Sequence, residues 1–301
     1  MALRGAFVRR AAARSAGARG FASEKDIAMR INATKNIQKI TASMKMVSQA
    51  KLNQQKRRLA EGRPFAAYLS SIMPAAEESN ADEQTFDMLE ASKTPLFVPI
   101  TSEQGFCGGV NSVHTKVLKI IMGKCAEEGK EPSIMVVGNK GRSQLRRLYE
   151  DKIPAYCIDV GRPLTFAGAS ALATEALKTP ADSVFVMYNI FVSAIAYQPT
   201  IQPVLSLTGG EEEAMVEYEF EPDTKSEILT DLHEYNLASA IYSCYEDAAT
   251  AEISSRVQAM ENASKNAGEL IDALTLLYNR TRQARITTEL IEIISGASAL
   301  E

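Results

Sequence analysis

The segment from Thr101 to Gly109 is the first place where this sequence could do chemistry, because its glycines and hydroxyls follow an apolar run and precede a helical pattern. Loops of this kind can hold a phosphate on the backbone N–H groups of a helix N-terminus. The segment lacks the Lys-Ser/Thr pair of a P-loop, and its glycines do not fit GxGxxG spacing. A tight strand-to-helix turn is therefore favoured, here and at Gly138–Gly141, with nucleotide binding as the alternative.

Cys107 and His114 could in principle form a nucleophile–base pair. No acid that would orient the histidine is evident, and seven intervening positions of loop and helix do not establish a contact. Only two histidines occur in the chain, and its four cysteines show no CxxC pairing. These counts disfavour His-based catalysis, structural zinc and a disulfide framework. We expect no metal site and no cofactor.

Charge is strongly segregated along the chain, although the net charge is only −4. The first 22 residues contain five arginines and no acid among Ala, Gly, Ser, Leu, Phe and Val. This composition is typical of a transit peptide, with processing near Ala22 and a disordered basic tail as the alternative. No apolar run reaches the ~20 residues that a membrane-spanning helix requires.

The elements that must position any functional residues begin with a basic helix from Ser23 to Gly62, which contains no proline. Gly62 and Pro64 are expected to kink or end it. Its apolar residues recur mostly every three or four positions, which predicts a coiled-coil seam with slips. The seam is expected to contain Ile27, Ile31, Ile37, Ile40, Met44, Val47, Leu52 and Leu59.

The middle of the chain alternates strand and helix patterns. Strands are expected at 96–100, 134–137, 153–158, 183–192 and 195–207, and helices at 111–128, 141–150 and 167–178. Alternating elements of this length predict a mainly parallel sheet flanked by helices.

The last part of the chain, from Lys225 to Ser295, has no proline and a single glycine, Gly268. About 70 helical residues would extend roughly 105 Å at ~1.5 Å per residue, so the helix must pack on the other long helix. The acid-rich segment that leads into this helix, residues 211–234, is either a solvated loop and helix start or a docking surface. The expected seam is Leu232, Leu237, Ile241, Ala248, Ser255, Ala259, Ala263, Ala267, Leu270, Leu274, Leu277, Ala284 and Ile291.

Two long motifs carry a family resemblance. Ala33–Thr41, together with Ser43–Val47 and Ala50–Leu52, resembles the N-terminal helix of the gamma subunit of F-type ATP synthase. Asn279–Ala284 and Ile286–Ala297 resemble the family's C-terminal signature, and Met260–Ala267 also fits. In the loop where the family usually has Ser-Asp-Arg-Gly-Leu-Cys-Gly, this chain has Glu103 and Gln104 in place of Asp and Arg. The transit peptide makes it similar to the mitochondrial form.

The resemblance implies a Rossmann-like α/β central domain without a nucleotide site, plus a long antiparallel coiled coil of the N- and C-terminal helices. It implies a central-stalk rotor that turns inside a ring of alpha and beta subunits and has no active site. The implied partners are the alpha and beta subunits, the membrane c-ring and small central-stalk subunits of the delta/epsilon type, on the matrix side of the mitochondrial inner membrane. The implied organisation is a transit peptide at 1–21, an N-terminal helix and linker at 22–90, the α/β domain at 91–210, and a foot segment and C-terminal helix at 211–301.

The resemblance also implies roles for individual residues. Contacts with the beta subunit are implied for Arg282, Gln283, Met44, Lys39 and Lys45. An apolar tip inside a bearing is implied for Leu290, Ile293, Ile294 and Leu300. Contacts of the foot with the membrane ring or a neighbouring small subunit are implied for Tyr218 and Glu221.

Two other classes of protein remain alternatives. One is an enzyme with a nucleotide-binding α/β domain and a helical arm, which a complete P-loop or GxGxxG would support. The other is a nucleic-acid-binding coiled coil, which a basic chain with interleaved aromatic residues would support. The sequence contains neither a complete P-loop nor GxGxxG. Removal of the five N-terminal arginines leaves a more acidic chain, which disfavours nucleic-acid binding.

Overall fold

The computed structural model of the protein describes residues 24–72, 85, 88–204 and 225–299. The predicted alternation of strands and helices is confirmed in the middle of the chain, and so are the two long terminal helices. In chain order the elements are helix α1 (Glu24–Ile72), strand β1 (Pro95–Pro99), helix α2 (Val110–Glu127), strand β2 (Ser133–Val137), helix α3 (Asn139–Tyr149), a 3₁₀ turn (Glu150–Lys152), strand β3 (Ala155–Cys157), helix α4 (Phe166–Leu177), strands β4 (Ser183–Ser193) and β5 (Ala196–Val204), and helix α5 (Lys225–Ser298).

Helix α1 does not end at Gly62 or Pro64, where the sequence predicted a kink or an end, but continues to Ile72. A proline inside a helix removes one N–H···O bond and crowds one carbonyl. The proline therefore weakens the helix locally without forbidding its continuation.

The strands form a five-stranded sheet in the order β3-β2-β1-β4-β5. β1 pairs in parallel with β2 and β4, and β2 pairs in parallel with β3. Only β5 runs antiparallel, as a hairpin partner of β4. The prediction of a mainly parallel sheet is confirmed. The strand order places the topological switch point between β1 and β4, where doubly wound proteins bind their ligands.

Helices cover both faces of the sheet. On one face, Phe97 and Phe185 stack with ring centroids 5.4 Å apart, and Leu118 of α2 and Leu145 of α3 belong to the same buried cluster. On the other face, Leu96, Val98 and Val186 of the sheet cluster with α4 and with α5 residues 237–248. The buried strands are almost continuously apolar because both of their faces are covered.

The chain divides into two compact units. The helix-pair unit contains Met1–Ala42 and Asn262–Glu301, and the sheet unit contains Ser43–Glu261. Helices α1 and α5 therefore contribute residues to both.

In the helix-pair unit the two helices run antiparallel. Glu24 at the start of α1 pairs with Arg285, whereas Gln38 lies against Gly268, where an added Cβ would come within 3.2 Å of its side-chain nitrogen. The positions of α1 that face its partner are Ile27, Ile31, Thr34, Gln38 and Thr41, and those of α5 are Ser264, Ala267, Ile271, Leu274 and Tyr278. This spacing of alternately four and three residues is a regular heptad pattern.

The predicted composition of this seam is wrong in part. Ile37 and Ile40 are 54% and 57% exposed, and Leu270 and Leu277 are 50% and 48% exposed. The seam instead passes through polar residues such as Thr34, whose hydroxyl donates to the carbonyl of Arg30 at 2.8 Å. A threonine that bonds its own helix is satisfied when buried. The heptad pattern therefore continues without slips, while Ile37, Ile40, Leu270 and Leu277 lie outside it.

In the sheet unit, Leu52 and Leu59 of α1 are buried. Glu246 of α5, also buried, accepts a hydrogen bond from the side chain of Gln55. Arg63 pairs with Asp247 at 3.5 Å. Burial raises the pKa of both Glu246 and Asp247. In the part of the chain that the structure describes, no helix has the length and apolar character needed to cross a bilayer.

Candidate partner-binding surface

The most unusual surface of the helix-pair unit is the end of α5, from Arg282 to Ala299, where every residue is exposed. Among the described residues of this unit, α1 begins at Glu24, and the last half-buried residues of α5 are Tyr278 and Thr281. The surface nevertheless contains large apolar side chains. These are Ile286, Leu290, Ile291, Ile293 and Ile294, with exposed fractions of 44%, 53%, 58%, 68% and 63%.

The polar side chains of this exposed stretch bond within α5. The hydroxyls of Thr287 and Thr288 donate to the carbonyls of Gln283 and Ala284 at 2.9 and 3.0 Å. Arg285 and Glu289 form an i,i+4 ion pair at 3.4 Å. Such pairs support an isolated helix by only ~0.2–0.5 kcal/mol each. These contacts satisfy polar groups within α5, but they do not explain why its exposed surface is apolar.

A basic and polar cluster, here called the basic and polar node, precedes this apolar end and consists of Glu24, Tyr278, Arg282, Gln283 and Arg285. Arg285 pairs with Glu24 at 2.7 Å. A hydrogen bond to Glu24 and its negative charge raise the pKa of Tyr278. Arg282 and Gln283, two predicted partner contacts, are both exposed here. Arg282 is exposed, so its guanidinium faces solvent.

The remaining predicted contact residues lie on α1. Lys39 is exposed in the helix-pair unit, and Met44 is half-buried in the sheet unit. Lys45 pairs with Glu261 of α5 at 3.1 Å and is 39% exposed in its side chain, so part of its charge is already compensated. Leu300, Tyr218 and Glu221 lie outside the described residues.

Sequence reasoning missed that Met29, Ile37 and Ile40 form exposed apolar positions on α1, with exposed fractions of 63%, 54% and 57%. The signal that could have revealed them is the heptad from Ile27 to Thr41 when polar residues are allowed in the seam. Apolar side chains that a strict heptad excludes must face outward.

The second candidate, the loop from Thr101 to Gly109, is tied into the sheet unit by its own polar groups. The side chain of Asn111 accepts from the backbone N–H of Ser102 at 3.0 Å and donates to the Ser102 hydroxyl at 2.8 Å. The Glu103 carboxylate accepts from the backbone N–H of Asn139 at 3.2 Å. The Thr101 hydroxyl donates to the carbonyl of Val137 at 2.7 Å. The loop therefore joins the carboxyl ends of β1 and β2.

The structure does not bring Cys107 and His114 together as a nucleophile–base pair. The thiol of Cys107 contacts Ser102 and Asn111, at 3.5 and 3.3 Å. The Nε2 of His114 lies 2.8 Å from the side-chain amide of Asn189. Burial lowers the pKa of His114 to about 4, as expected for a neutral core histidine.

The crevice at the switch point between β1 and β4 is filled by the chain itself. The cavity that remains there has a volume of about 10 Å³ and is lined by Thr101, Asn189, Arg162, Tyr245 and Glu252, among others. That space suffices for about one water molecule and for no nucleotide. A separate, open cleft of about 480 Å³ lies between α1 residues 51–58 and the loops around Glu103 and Arg162, with both acids and bases on its walls.

The chain is similar to known proteins along most of its length. The family model described as ATP synthase matches residues 23–300. A Drosophila melanogaster protein, "ATP synthase subunit gamma, mitochondrial", is 42% identical over 286 residues, which cover 94% of this chain and 92% of that protein. A Rattus norvegicus protein, "ATP synthase F(1) complex subunit gamma, mitochondrial", is 40% identical, covering 93% of this chain and all of that one.

Solved structures show the same fold. A chain in the Euglena gracilis mitochondrial ATP synthase, solved as OSCP/F1/c-ring, matches with a TM-score of 0.78 at 21% identity, covering 93% of this chain and 95% of that chain. A chain in the Tetrahymena thermophila mitochondrial ATP synthase, solved as central stalk/c-ring, matches with a TM-score of 0.61 at 28% identity, covering 75% of this chain and 99% of that chain.

Proposed function

Because this chain belongs to the ATP synthase gamma-subunit family, we propose that it is the central-stalk rotor of a mitochondrial F-type ATP synthase. It turns inside the head of alpha and beta subunits and couples proton-driven rotation of the membrane c-ring to ATP synthesis or hydrolysis. Its place is the matrix side of the mitochondrial inner membrane. Its remaining partners are small central-stalk subunits of the delta/epsilon type.

The observation that carries the proposal is the exposed apolar end of α5. Fully burying an isoleucine or leucine side chain contributes about 1.5–3 kcal/mol, and five such residues lie exposed between Ile286 and Ile294. An apolar surface of this kind marks a site where another protein binds. An apolar bearing in the head, around Leu290, Ile293, Ile294 and Leu300, supplies that partner.

The basic and polar node binds the catalytic beta subunits. Arg282 and Gln283 bind a loop of a beta subunit, Arg282 through its planar guanidinium and Gln283 through its amide. Met44, Lys39 and Lys45 make further contacts with beta, although the pair with Glu261 reduces the charge that Lys45 offers. Tyr218 and Glu221 contact the membrane ring or a neighbouring small subunit.

The mechanism requires no reaction on this chain. A rod with different side chains around its circumference contacts each beta subunit differently, and so favours a different open or closed state in each. A partner can shift a conformational equilibrium only by its differential affinity for the two states. Rotation exchanges these contacts in turn and converts torque into changes of nucleotide affinity.

The chain has no active site of its own in this proposal. The filled crevice between β1 and β4 supports this view, because Arg162, Tyr245 and Glu252 occupy the place where a doubly wound domain would bind its nucleotide. The 480 Å³ cleft presents mixed charges rather than a phosphate-binding loop. The proposed organisation has a transit peptide at 1–21, a helix and linker at 22–90, the α/β domain at 91–210 and a foot with the C-terminal helix at 211–301.

ATP hydrolysis by a reconstituted head tests the proposal. The chain from residue 22 should hydrolyse nothing alone, yet should assemble with the alpha–beta head and raise its turnover. Arg282→Ala/Gln283→Ala should reduce that stimulation. Arg147→Ala/Gln198→Ala, an exposed Arg and Gln of the sheet unit, is the matched control and should not. Hydrolysis by the purified chain, or RNA binding without assembly, would favour the alternative classes.

A further inference from the structure

One turn of α5 in the sheet unit, from Glu252 to Arg256, makes polar contacts with three separate loops of the α/β domain. Glu252 is nearly buried, with 5% of its side chain exposed. The two terminal guanidinium nitrogens of Arg162, Nη1 and Nη2, each bind one oxygen of its carboxylate, at 3.0 and 2.8 Å. A fork of this kind fixes orientation as well as distance.

A second arginine completes the site. Arg256, one turn further along α5, pairs with the same carboxylate of Glu252, and its guanidinium also reaches the carbonyl of Gly105 at 3.4 Å. Burial alone would lower the pKa of Arg162, but its hydrogen bond and ion pair with Glu252 raise it above the ordinary value.

The two serines between these charged residues bind the other loops. The Ser255 hydroxyl donates to the carbonyl of Cys107 at 2.6 Å, and the Ser254 hydroxyl donates to the carbonyl of Ala194 at 2.8 Å. A Cβ added to Gly108 would lie 2.8 Å from the Ser255 oxygen, in a backbone conformation with φ +65°. Only glycine allows the loop to approach the helix so closely.

The other contacts between α5 and the sheet have a different character. Residues 237–248 pack through apolar side chains such as Leu237 and Ile241. Hydrophobic burial is non-directional and opposes separation more than sliding or twisting. Charged forks and short hydrogen bonds resist displacement in a defined direction.

From this contrast we propose that Glu252, Ser254, Ser255 and Arg256 form a torque-bearing clamp, with Glu252 as its positioning residue, that locks α5 to the α/β domain. The inference rests on the proposed rotor function. The clamp makes the α/β domain and the terminal helix turn as one body when load is applied to the domain. It is not needed to hold the two together at rest, because the apolar contacts do so.

Single-molecule rotation of the reconstituted complex tests the clamp. A bead is attached to the α/β domain through Gly123→Cys, since a Cβ at this exposed position meets no atom within 4 Å. All chains also carry Cys157→Ser, because Cys157 is partly exposed whereas Cys107, Cys125 and Cys244 are buried. Under viscous load, Glu252→Gln should lose torque relative to the unsubstituted clamp. Bulk ATP hydrolysis without a bead should remain unchanged.

Hydrogen exchange measures the clamp directly. Breaking a buried charge pair facilitates local opening by roughly a hundredfold or more. Backbone amides of residues 105–109 should therefore exchange about a hundredfold faster in Glu252→Gln, whereas amides of β1 and β4 should not change.

Glu175→Gln is the matched control, because Glu175 forms an exposed pair with Lys178 at 2.6 Å on α4. Torque equal to that of this control, or unchanged exchange at 105–109, would overturn the clamp. If Glu252→Gln does not fold, Ser254→Ala/Ser255→Ala decides the question, with loss of torque expected and its retention contradicting the inference. A chain with the intact clamp that fails to rotate on the head would contradict the rotor function instead.

Discussion

The apolar end of α5 should contribute a measurable part of the affinity for the head, and the double substitution Ile293→Ser/Ile294→Ser removes it. The two residues are 68% and 63% exposed in the free chain. About two-thirds of the ~1.5–3 kcal/mol that a fully buried isoleucine contributes is therefore still to be gained on binding. The two substitutions together should cost about 2–4 kcal/mol of binding free energy, which weakens Kd roughly 30- to 700-fold at 1.4 kcal/mol per tenfold.

The assay is the affinity of the tagged chain for an immobilised alpha–beta head, with the free energy of unfolding of the isolated chain measured in urea. The isolated variant should unfold within about 0.5 kcal/mol of the unsubstituted chain, because exposed side chains contribute little to its stability. Ile120→Ser/Ile195→Ser is the matched control, since these isoleucines are 64% and 79% exposed in the sheet unit.

An equal loss of affinity in both double variants would refute the reasoning, because it would assign the effect to general surface polarity. A loss of stability in the isolated tip variant would refute it as well, because the end of α5 would then pack within the chain. Affinity that is unchanged in the tip variant would show that no apolar bearing surrounds it.

Three further predictions concern the chain alone and are checked by urea unfolding. Gly138→Ala should destabilise it by about 3 kcal/mol or more, because φ is +99° and the new Cβ would lie 2.2 Å from the carbonyl oxygen of Thr101. The control is Gly129→Ala, at φ +69° with no atom within 4 Å of the new Cβ, which should cost only ~1 kcal/mol. Thr34→Val should stabilise the chain by up to about 1 kcal/mol, since it removes a hydroxyl from a buried seam position. Burial raises the folded-state pKa of Glu246 above its ordinary value of 4.5, so the folded chain binds more protons than the unfolded chain above that pH. The free energy of unfolding, relative to that of Glu246→Gln, should therefore fall as the pH rises through the raised pKa and then level off. A difference in unfolding free energy that stays constant from pH 4 to 7 would contradict the assigned burial effect.

The clamp and the tip have different physical requirements. The tip needs only a helix whose surface is apolar, and the side chains of Thr287, Thr288 and Arg285 find partners within that helix. The clamp needs three loops to converge on one turn of α5, which no local interaction can arrange. A substitution at the tip should therefore act on binding alone, whereas one at Glu252 should act within the sheet unit.

The sequence by itself determined the elements and the family. Apolar strands separated by helical patterns were sufficient for the mainly parallel sheet, because strands buried on both faces are nearly continuous in their hydrophobicity. The absence of proline after Lys225 was sufficient for the long helix α5. The motif from Asn279 to Ala297 indicated the gamma-subunit family, since its residues are read one after another and need no tertiary contact to be recognised.

Only the tertiary structure decided which face of each long helix is buried. Ile37 and Ile40 read as seam residues because they are apolar, yet the heptad that starts at Ile27 passes through Thr34, Gln38 and Thr41. A buried polar side chain is tolerated when it finds a hydrogen bond or lies against a small residue, and those partners sit on the opposite helix or on the preceding turn.

The same limit applies to the contacts of Glu252, which are with residues 90 positions earlier in the chain and one turn further on. In the sequence, Glu252 is one acid in a helical pattern and Arg162 one base in a loop. Nothing local distinguishes them, because residues 90 positions apart become neighbours only when the sheet and its loops are folded. The seam and the clamp were therefore decided by the fold, whereas the elements and the family were decided by the order of the residues.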